Sequence, residues 1–342
     1  MRRLRIGTAA RAAGPERARF IGFAVAVAIT VAGLGTPAAA AAPRLGVVDL
    51  GTLGGQCCSQ ATALNDRGEV VGDTSVGPDM FGRHAFRWRD GRMADLGTLG
   101  GTSSTATDIN DRGDIAGASD LPDGSTHAVL WRGGRLIDLG TLGGDASYAT
   151  AVNDAGEVVG FSTTEPGSFA LHAFSWRGGV MTDLGMLNDG FARAYDVNNR
   201  GQAVGDSSVD GINSVPVLWQ RGTPSGLTTR FGQASAINDS GQVTGFFFDG
   251  TGSFLWTRGR LVDLGTLPGA TVVQSTGINN RGDVVGGTGF DAFLWQRGQM
   301  IALPRLAGST SGANDINDRG QIVGFSATNP DGTNPHAVLW TR

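Results

Sequence analysis

Four imidazoles, His84, His127, His172 and His336, are the only histidines in the chain. Imidazole is the usual general base, proton shuttle or zinc ligand near neutral pH. All four open a similar phrase, "HAFRW", "HAVLW", "HAFSW" and "HAVLW". Residues at the heads of equivalent strands in a seven-fold ring lie roughly 13 Å apart, from a strand spacing of ~4.8 Å. Zinc ligands sit ~2 Å from the ion, so the four cannot share one. A structural hydrogen bond is the expectation for each.

The carboxylates give two further patterns. Asp108, Asp196 and Asp315 each stand two residues before an Asn. Semi-buried near the axis of such a ring, these side chains could hold calcium through oxygen ligands. They are scattered in sequence and lack the acidic density of a calcium loop, so local hydrogen bonding is expected and a bound cation is the lesser reading. Asp49, Asp95, Asp138, Asp183 and Asp263 each begin the tripeptide "DLG", and that regularity marks turn caps. Cys57 and Cys58 are the only cysteines. Adjacent cysteines cannot staple distant segments. A strained vicinal disulfide, free thiols or a link between molecules all remain open. No Ser/His/Asp set, paired-carboxylate motif or metal-ligand spacing stands out, so no catalytic residue is assigned.

These residues belong to a repeat. The seven Trp (Trp88, Trp131, Trp176, Trp219, Trp256, Trp295, Trp340) and an Asn after an apolar residue (Asn65, Asn110, Asn153, Asn198, Asn238, Asn279, Asn317) recur every 37 to 45 residues. Each unit reads as four short strands. The first ends at the Asn. An "N-D-x-G" hairpin follows, with Gly at the left-handed position. The second strand, "EVVG" or a variant, closes on a Gly. The third is the Trp strand, whose alternation of bulky and small residues suits a sheet buried on both faces. Its Trp are expected to be core, with the indole N–H bonded locally. The fourth ends in "DLG", and "TLGG" then crosses to the next unit, where Leu53, Leu99, Leu142, Leu187 and Leu267 would plug the gap between sheets.

Repeated four-stranded sheets of this length predict an all-β chain, a seven-bladed β-propeller. The last unit stops one strand short at "HAVLWTR", and residues 44–50 spell an unaccompanied fourth strand. The two halves complete one sheet if the ring closes there, so the N-terminal strand should complete the last blade. One domain then occupies 43–342.

Residues 1–42 differ: a basic opening, an apolar run "FIGFAVAVAITVAGLG" and an Ala-rich end. That order predicts a cleaved secretory signal peptide and a secreted, extracellular or periplasmic protein. Without 1–42 the chain keeps 21 basic and 30 acidic residues, a net charge of −9, and no Lys. An acidic surface argues against nucleic acid as a partner, and no second apolar span follows to cross a membrane.

The phrases "DLGTLGG", "INDRGDIAG" and "HAFRW" resemble those of the HAF-repeat family of bacterial extracellular proteins, across nearly all of 43–342. The resemblance implies secretion and repetition and transfers no catalytic residue. Units four to seven depart from it, as in "DLGMLND", "GLTTRFG", "DLGTLPG" and "ALPRLAG", and His is missing from units four to six.

The crossing segments and the variable loops after the second strands should emerge on one face, the usual place for function on a repeated scaffold. Candidate ligand residues there are Cys57, Cys58, Ser103, Tyr148, Asp120 and Asp123. Asp79, Asp120, Asp123, Glu165, Asp206, Asp210 and Asp331 should give that face an acidic rim. Arg89, Arg132, Arg177, Arg221, Arg258 and Arg297 should occupy the other face. The expected function is non-enzymatic binding of an extracellular glycan, peptide or protein, with no cofactor. The alternatives are a cation-dependent enzyme, lactonase-like or glycan-cleaving, and a purely structural envelope protein.

Overall fold

The structure, a computed structural model, describes residues 45–54, 57–77, 82–250 and 252–342. The expected signal peptide at 1–42 and Asp79 lie outside these residues. Among the described residues there is no helix, and 28 strands run from β1 (Gly46–Gly51) to β28 (Pro335–Thr341). They form seven four-stranded sheets, six of them from consecutive strands. In the first blade these are β2 (Ser59–Leu64), β3 (Val70–Val76), β4 (Gly82–Arg89) and β5 (Arg92–Asp95). The first strand of each blade packs against the first strands of both neighbours, including β26 (Ser311–Ile316) of the seventh blade against β2. The seven blades therefore surround a common axis as a seven-bladed β-propeller.

The seventh sheet has the order β1-β28-β27-β26, with β27 spanning Ile322–Ala327. β1 pairs antiparallel with β28, Val48 facing Leu339. The N-terminal strand thus completes the last blade. Blades seven and one also share an apolar layer, in which Leu50, Val323, Ala337 and Leu339 meet Ala61, Leu64, Val70 and Phe86. Burying the Leu, Val and Phe among them contributes about 1.5–3 kcal/mol each, so closing the ring removes an apolar edge from water.

The hairpin Gly after each repeat Asn has the left-handed backbone expected, for example φ 79° at Gly68. The crossing leucines Leu53, Leu99, Leu142 and Leu187 pack into the layers between blades, and Leu267 is buried there. Trp219 and Trp340 are fully buried, whereas Trp88, Trp256 and Trp295 are half-buried. Where the indole N–H is bonded, its acceptor lies in the preceding blade's crossing. Trp131 donates to Leu96 O, Trp219 to Gly185 O and Trp340 to Pro304 O. Trp therefore ties neighbouring blades together.

One boundary differs from expectation. The second strand does not close at its Gly: β3 continues four residues past Gly72. The partner strand is bulged between Ala61 and Ala63 opposite this position. A Cβ on Gly72 would stand 1.9 Å from Gln60 O. The Gly makes room for a bulge and does not end the strand.

Candidate functional site

Strand direction sorts the loops into two faces. The "N-D-x-G" hairpins and the turns after the Trp strands share one; the crossings and the loops after the second strands share the other.

On the hairpin face the seven repeat Asn form a closed ring. Asn65 Nδ2 donates to Asn110 O at 3.1 Å, and the same bond passes through each blade until Asn317 Nδ2 donates to Asn65 O at 3.0 Å. The next residues form a second ring. Asp66 N–H donates to Asp111 Oδ1, and the series runs through Asp154, Asn199, Asp239 and Asn280 to Asp318, whose N–H returns to Asp66 Oδ1. Both rings surround a small axial cavity of about 190 Å³.

Asp108, Asp196 and Asp315 stand two residues before their ring Asn, Asp315 lining the cavity itself, and each hooks the following blade. Asp108 accepts Val152 N–H, Asp196 accepts Ile237 N–H and Asp315 accepts Leu64 N–H, at 2.7, 2.7 and 3.0 Å. Each also accepts the N–H of its own next residue. The equivalent position in the following blade is Ala151, Ala236 or Ala63, so blades with and without the Asp alternate except at the fifth and sixth, Ala236 and Gly277, which both lack it. At Gly277 of the sixth blade a Cβ would lie 3.0 Å from the Asp315 Cα. Burial above all, with the charges of Asp196 and Asp315 added, pushes Asp108 up to about 8. Burial likewise pushes Asp196 and Asp315 up to about 6. The bond to the next residue is the local role expected of them, and the hook to the following blade goes beyond it. Among the described residues no group of three or more His, Cys, Asp or Glu has the geometry to hold a metal ion.

The Arg residues of this face are only partly free. Arg89 and Arg132 pair with Glu69 and Asp114 at 3.3 and 3.0 Å, and Arg177 pairs with Glu157. Those acids lie four residues after the repeat Asn and are buried. Arg221, Arg258 and Arg297 occupy exposed turns. The Asp ring at the axis gives this face a negative centre that the sequence reading did not place there.

On the loop face the histidines behave as expected. His84 bonds Asp95 at 2.7 Å, His127 bonds Asp138 at 2.9 Å, His172 bonds Asp183 at 2.6 Å and His336 bonds Asp49 at 2.9 Å, each through Nδ1. The same carboxylates cap the "DLG" turn, as Asp95 Oδ1 does for Gly97 N–H at 2.8 Å. These pairs occupy four successive blades: the seventh, first, second and third.

The six candidate ligand residues share this face but form separate local groups. Cys57 and Cys58 are joined as a vicinal disulfide. Cys58 N–H donates to Asn334 Oδ1 at 3.4 Å, which links the first crossing to the seventh blade's loop. Asp120 N–H donates to Ser103 O at 2.9 Å. Asp123 caps its own loop through Ser125. Tyr148 is 37 % exposed, with its ring 5.3 Å from Phe161.

The acidic rim needs one correction. Asp206 is fully buried and belongs to the fold. Arg193 pairs with it at 2.7 Å and Ser214 Oγ donates to it at 2.6 Å. Arg193 also lies over the rings of Phe191 and Tyr195. Burial, then the Asp206 charge, raises the Tyr195 phenol above its ordinary value. "FARAYD" puts an Arg where the other first strands carry an uncharged residue and a Tyr where they carry Thr, Ser or Asn, and that interruption was the available signal.

The sequence reading also missed an arc of exposed apolar side chains on blades three to six. Phe169 is 96 % exposed, Ile212 82 %, Phe290 69 % and Phe248 50 %. Each lies in or beside a Gly- or Asp-containing loop, where a large apolar residue has no core to enter.

No family model matches the chain, and no curated protein matches it significantly. Solved structures do. The β-propeller domain of the Trilobed protease from Pyrococcus furiosus is similar at 10 % identity and a TM-score of 0.57, covering 82 % of this chain and 95 % of that one. The acylaminoacyl peptidase of Pyrococcus horikoshii is similar at 13 % identity and a TM-score of 0.51, covering 83 % of this chain and 51 % of that one. These likenesses define a class, the β-propellers, and at such identity they carry the fold alone. The first is described as having an open velcro topology, whereas here β1 completes the last sheet.

Proposed function

We propose that the chain is a secreted, non-enzymatic binding propeller of the HAF-repeat type. It engages an extracellular peptide or protein through the loop face of blades three to six. The exposed Phe169, Ile212, Phe248 and Phe290 carry this reading. Large apolar side chains standing out from the loops of four successive blades favour an interaction surface on that face. Three of them, Ile212, Phe248 and Phe290, lie on blades four to six, where the repeat loses its histidines. The His–Asp pairs are copied on four blades, which favours a scaffold role over a catalytic one, since a reaction needs its groups once. Phe and Ile carry no polar group of their own, which suits an apolar peptide side chain better than a sugar.

Selection of binders from a displayed random heptapeptide library, with a glycan array in parallel, tests this. Peptides selected on the native protein are expected to lose binding to a Phe169→Ser/Phe248→Ser/Phe290→Ser variant. Glycan binding with no peptide selected would replace the reading with a lectin-like one.

A further inference from the structure

In four blades the loop-face end of the Trp strand carries the His–Asp pair. The register locates the equivalent residues in the fourth blade, whose strands include β15 (Gln202–Ser208), β16 (Ser214–Gln220) and β17 (Thr223–Gly226). His127 faces Ser119, and Val215 faces Ser207. Asp138 faces Val129, and Gly226 faces Val217. The pair is therefore replaced by Val215 and Gly226. Blade five keeps its carboxylate, Asp263, and blade six fills the site with an Asp291–Arg305 ion pair at 2.7 Å. Only in blade four are both polar partners gone.

What remains is an open apolar pocket of about 440 Å³, lined by Leu187, Val209, Val215, Gly226, Thr228 and Thr229. Two carboxylates adjoin it along the chain. Asp210 follows the pocket residue Val209, and hydrogen bonds from Asn213 hold its carboxyl below the usual range. Asp189 follows Asn188, whose Nδ2 donates to Val209 O at 2.9 Å. The nearby Arg230 pairs with Asp249 at 3.0 Å and leaves the rim negative. β17 is the outermost strand of its sheet, so its outer edge has backbone groups available to an extended chain.

We propose that this pocket is the anchor site for a peptide segment of a partner protein, seating one bulky apolar side chain against Val215 and Gly226 with a neighbouring Lys or Arg at Asp210 and Asp189. The inference rests on the loop-face reading above and narrows it to one partner chemistry. An apolar anchor beside a charge is a common way for an interface to combine affinity with orientation.

The repeat itself supplies the test variant. Val215→His/Gly226→Asp restores the pair that four blades already accommodate. A Cβ at Gly226 meets nothing nearer than 3.7 Å, so the variant should fold. The probes are Gly/Ser-flanked heptapeptides centred on Arg-Leu-Arg, Arg-Phe-Arg, Glu-Leu-Glu and Arg-Gly-Arg, read by fluorescence anisotropy. The native protein is expected to bind the first two, with Glu flanks or a central Gly weakening binding by about tenfold or more. The double variant should lose about as much. Undiminished binding by the double variant, or no binding of either Arg-flanked apolar peptide to the native protein, overturns the proposal. The Phe169→Ser/Phe248→Ser/Phe290→Ser variant, tested with the library-selected peptides, separates the two readings. Binding lost there but kept in the double variant sinks the pocket alone, and binding kept in both sinks the pocket and the loop face together.

Discussion

Asn65 shows how much one residue does in this ring. Its Oδ1 accepts the N–H groups of Arg67 and Glu69, both at 3.0 Å, and shapes the hairpin. Its Nδ2 donates to Glu69 Oε2 at 2.8 Å and to Asn110 O in the next blade at 3.1 Å. Only an amide offers both an acceptor and two donors at this size, which explains why all seven units spell Asn. Aspartate keeps the acceptor and turns the donor into a second acceptor facing two others. In blade one it would also place a carboxylate against the buried Glu69. Asn65→Asp should therefore cost roughly 3–5 kcal/mol, as for breaking a buried charged pair. In blade four the matching partner is Gln202, bonded to Asn198 Nδ2 through Oε1 at 3.0 Å. Its amide can turn and donate instead, so Asn198→Asp should cost only about 1–3 kcal/mol. Urea unfolding of the two variants measures the difference. Equal losses would mean that the inter-blade bond, and not the partner four residues on, sets the cost.

A blade is one bulged hairpin carrying a second, flatter hairpin. The bulge leaves a first-strand carbonyl aimed at the second strand, and only Gly fits below it. At Gly205 a Cβ would come within 1.9 Å of Arg193 O, a backbone atom that cannot swing aside. Gly205→Ala should destabilise by about 3 kcal/mol or more, seen as a lower melting temperature. Ala at the neighbouring exposed turn residue Gly211 meets no atom within 4 Å and serves as the control for backbone strain alone. A loss no larger at Gly205 than at Gly211 would remove the bulge from the explanation. This element also shows where the sequence could be read and where it could not. Period and composition revealed the four strands, because alternation and turn glycines are local. The bulge was not legible: a Gly that admits a carbonyl and a Gly that ends a strand are spelled alike. The blade-four pocket escaped for a related reason. It arises from two side chains being absent on different strands, and Val215 and Gly226 become partners only through their register. Asp206 was misplaced on the rim because its burial depends on Arg193, across the hairpin.

At the scale of the whole ring, β1 closes the outside while the Asn ring, the Asp/Asn ring and the three axial Asp close the inside. Closure at residues 44–50 was legible because one strand at the start and three at the end of a four-strand repeat predict each other as partners. That Asp108, Asp196 and Asp315 lie near the axis was legible from their place two residues before the repeat Asn; that burial and one another's charge would keep them protonated there was not. Their convergence has a pH consequence. The folded protein holds protons near 8 on Asp108 and near 6 on Asp196 and Asp315, against an ordinary value of 3.8. When a folded-state pKa lies above the unfolded one, its stabilisation is complete below the unfolded value and fades as pH rises through the folded value. The propeller should accordingly melt at a higher temperature at pH 5 than at pH 8, the fall being steeper up to pH 6, where all three carboxyls contribute, than from pH 6 to 8, where mainly Asp108 does. Glu69, lowered despite its burial by hydrogen bonds from Asn65 and Arg87, acts in the opposite direction and only below its ordinary 4.5. Asp108→Ala installs the residue that Ala63, Ala151 and Ala236 already supply at that position. It removes one hook to the third blade, so the variant should be less stable than the native protein at pH 5. The gap should shrink or reverse by pH 8, where the native carboxylate must ionise in a crowded axis. Calorimetric melts of both proteins across that range decide it. Parallel curves would show that Asp108 carries no proton in the fold and that the axial carboxylates are screened from one another.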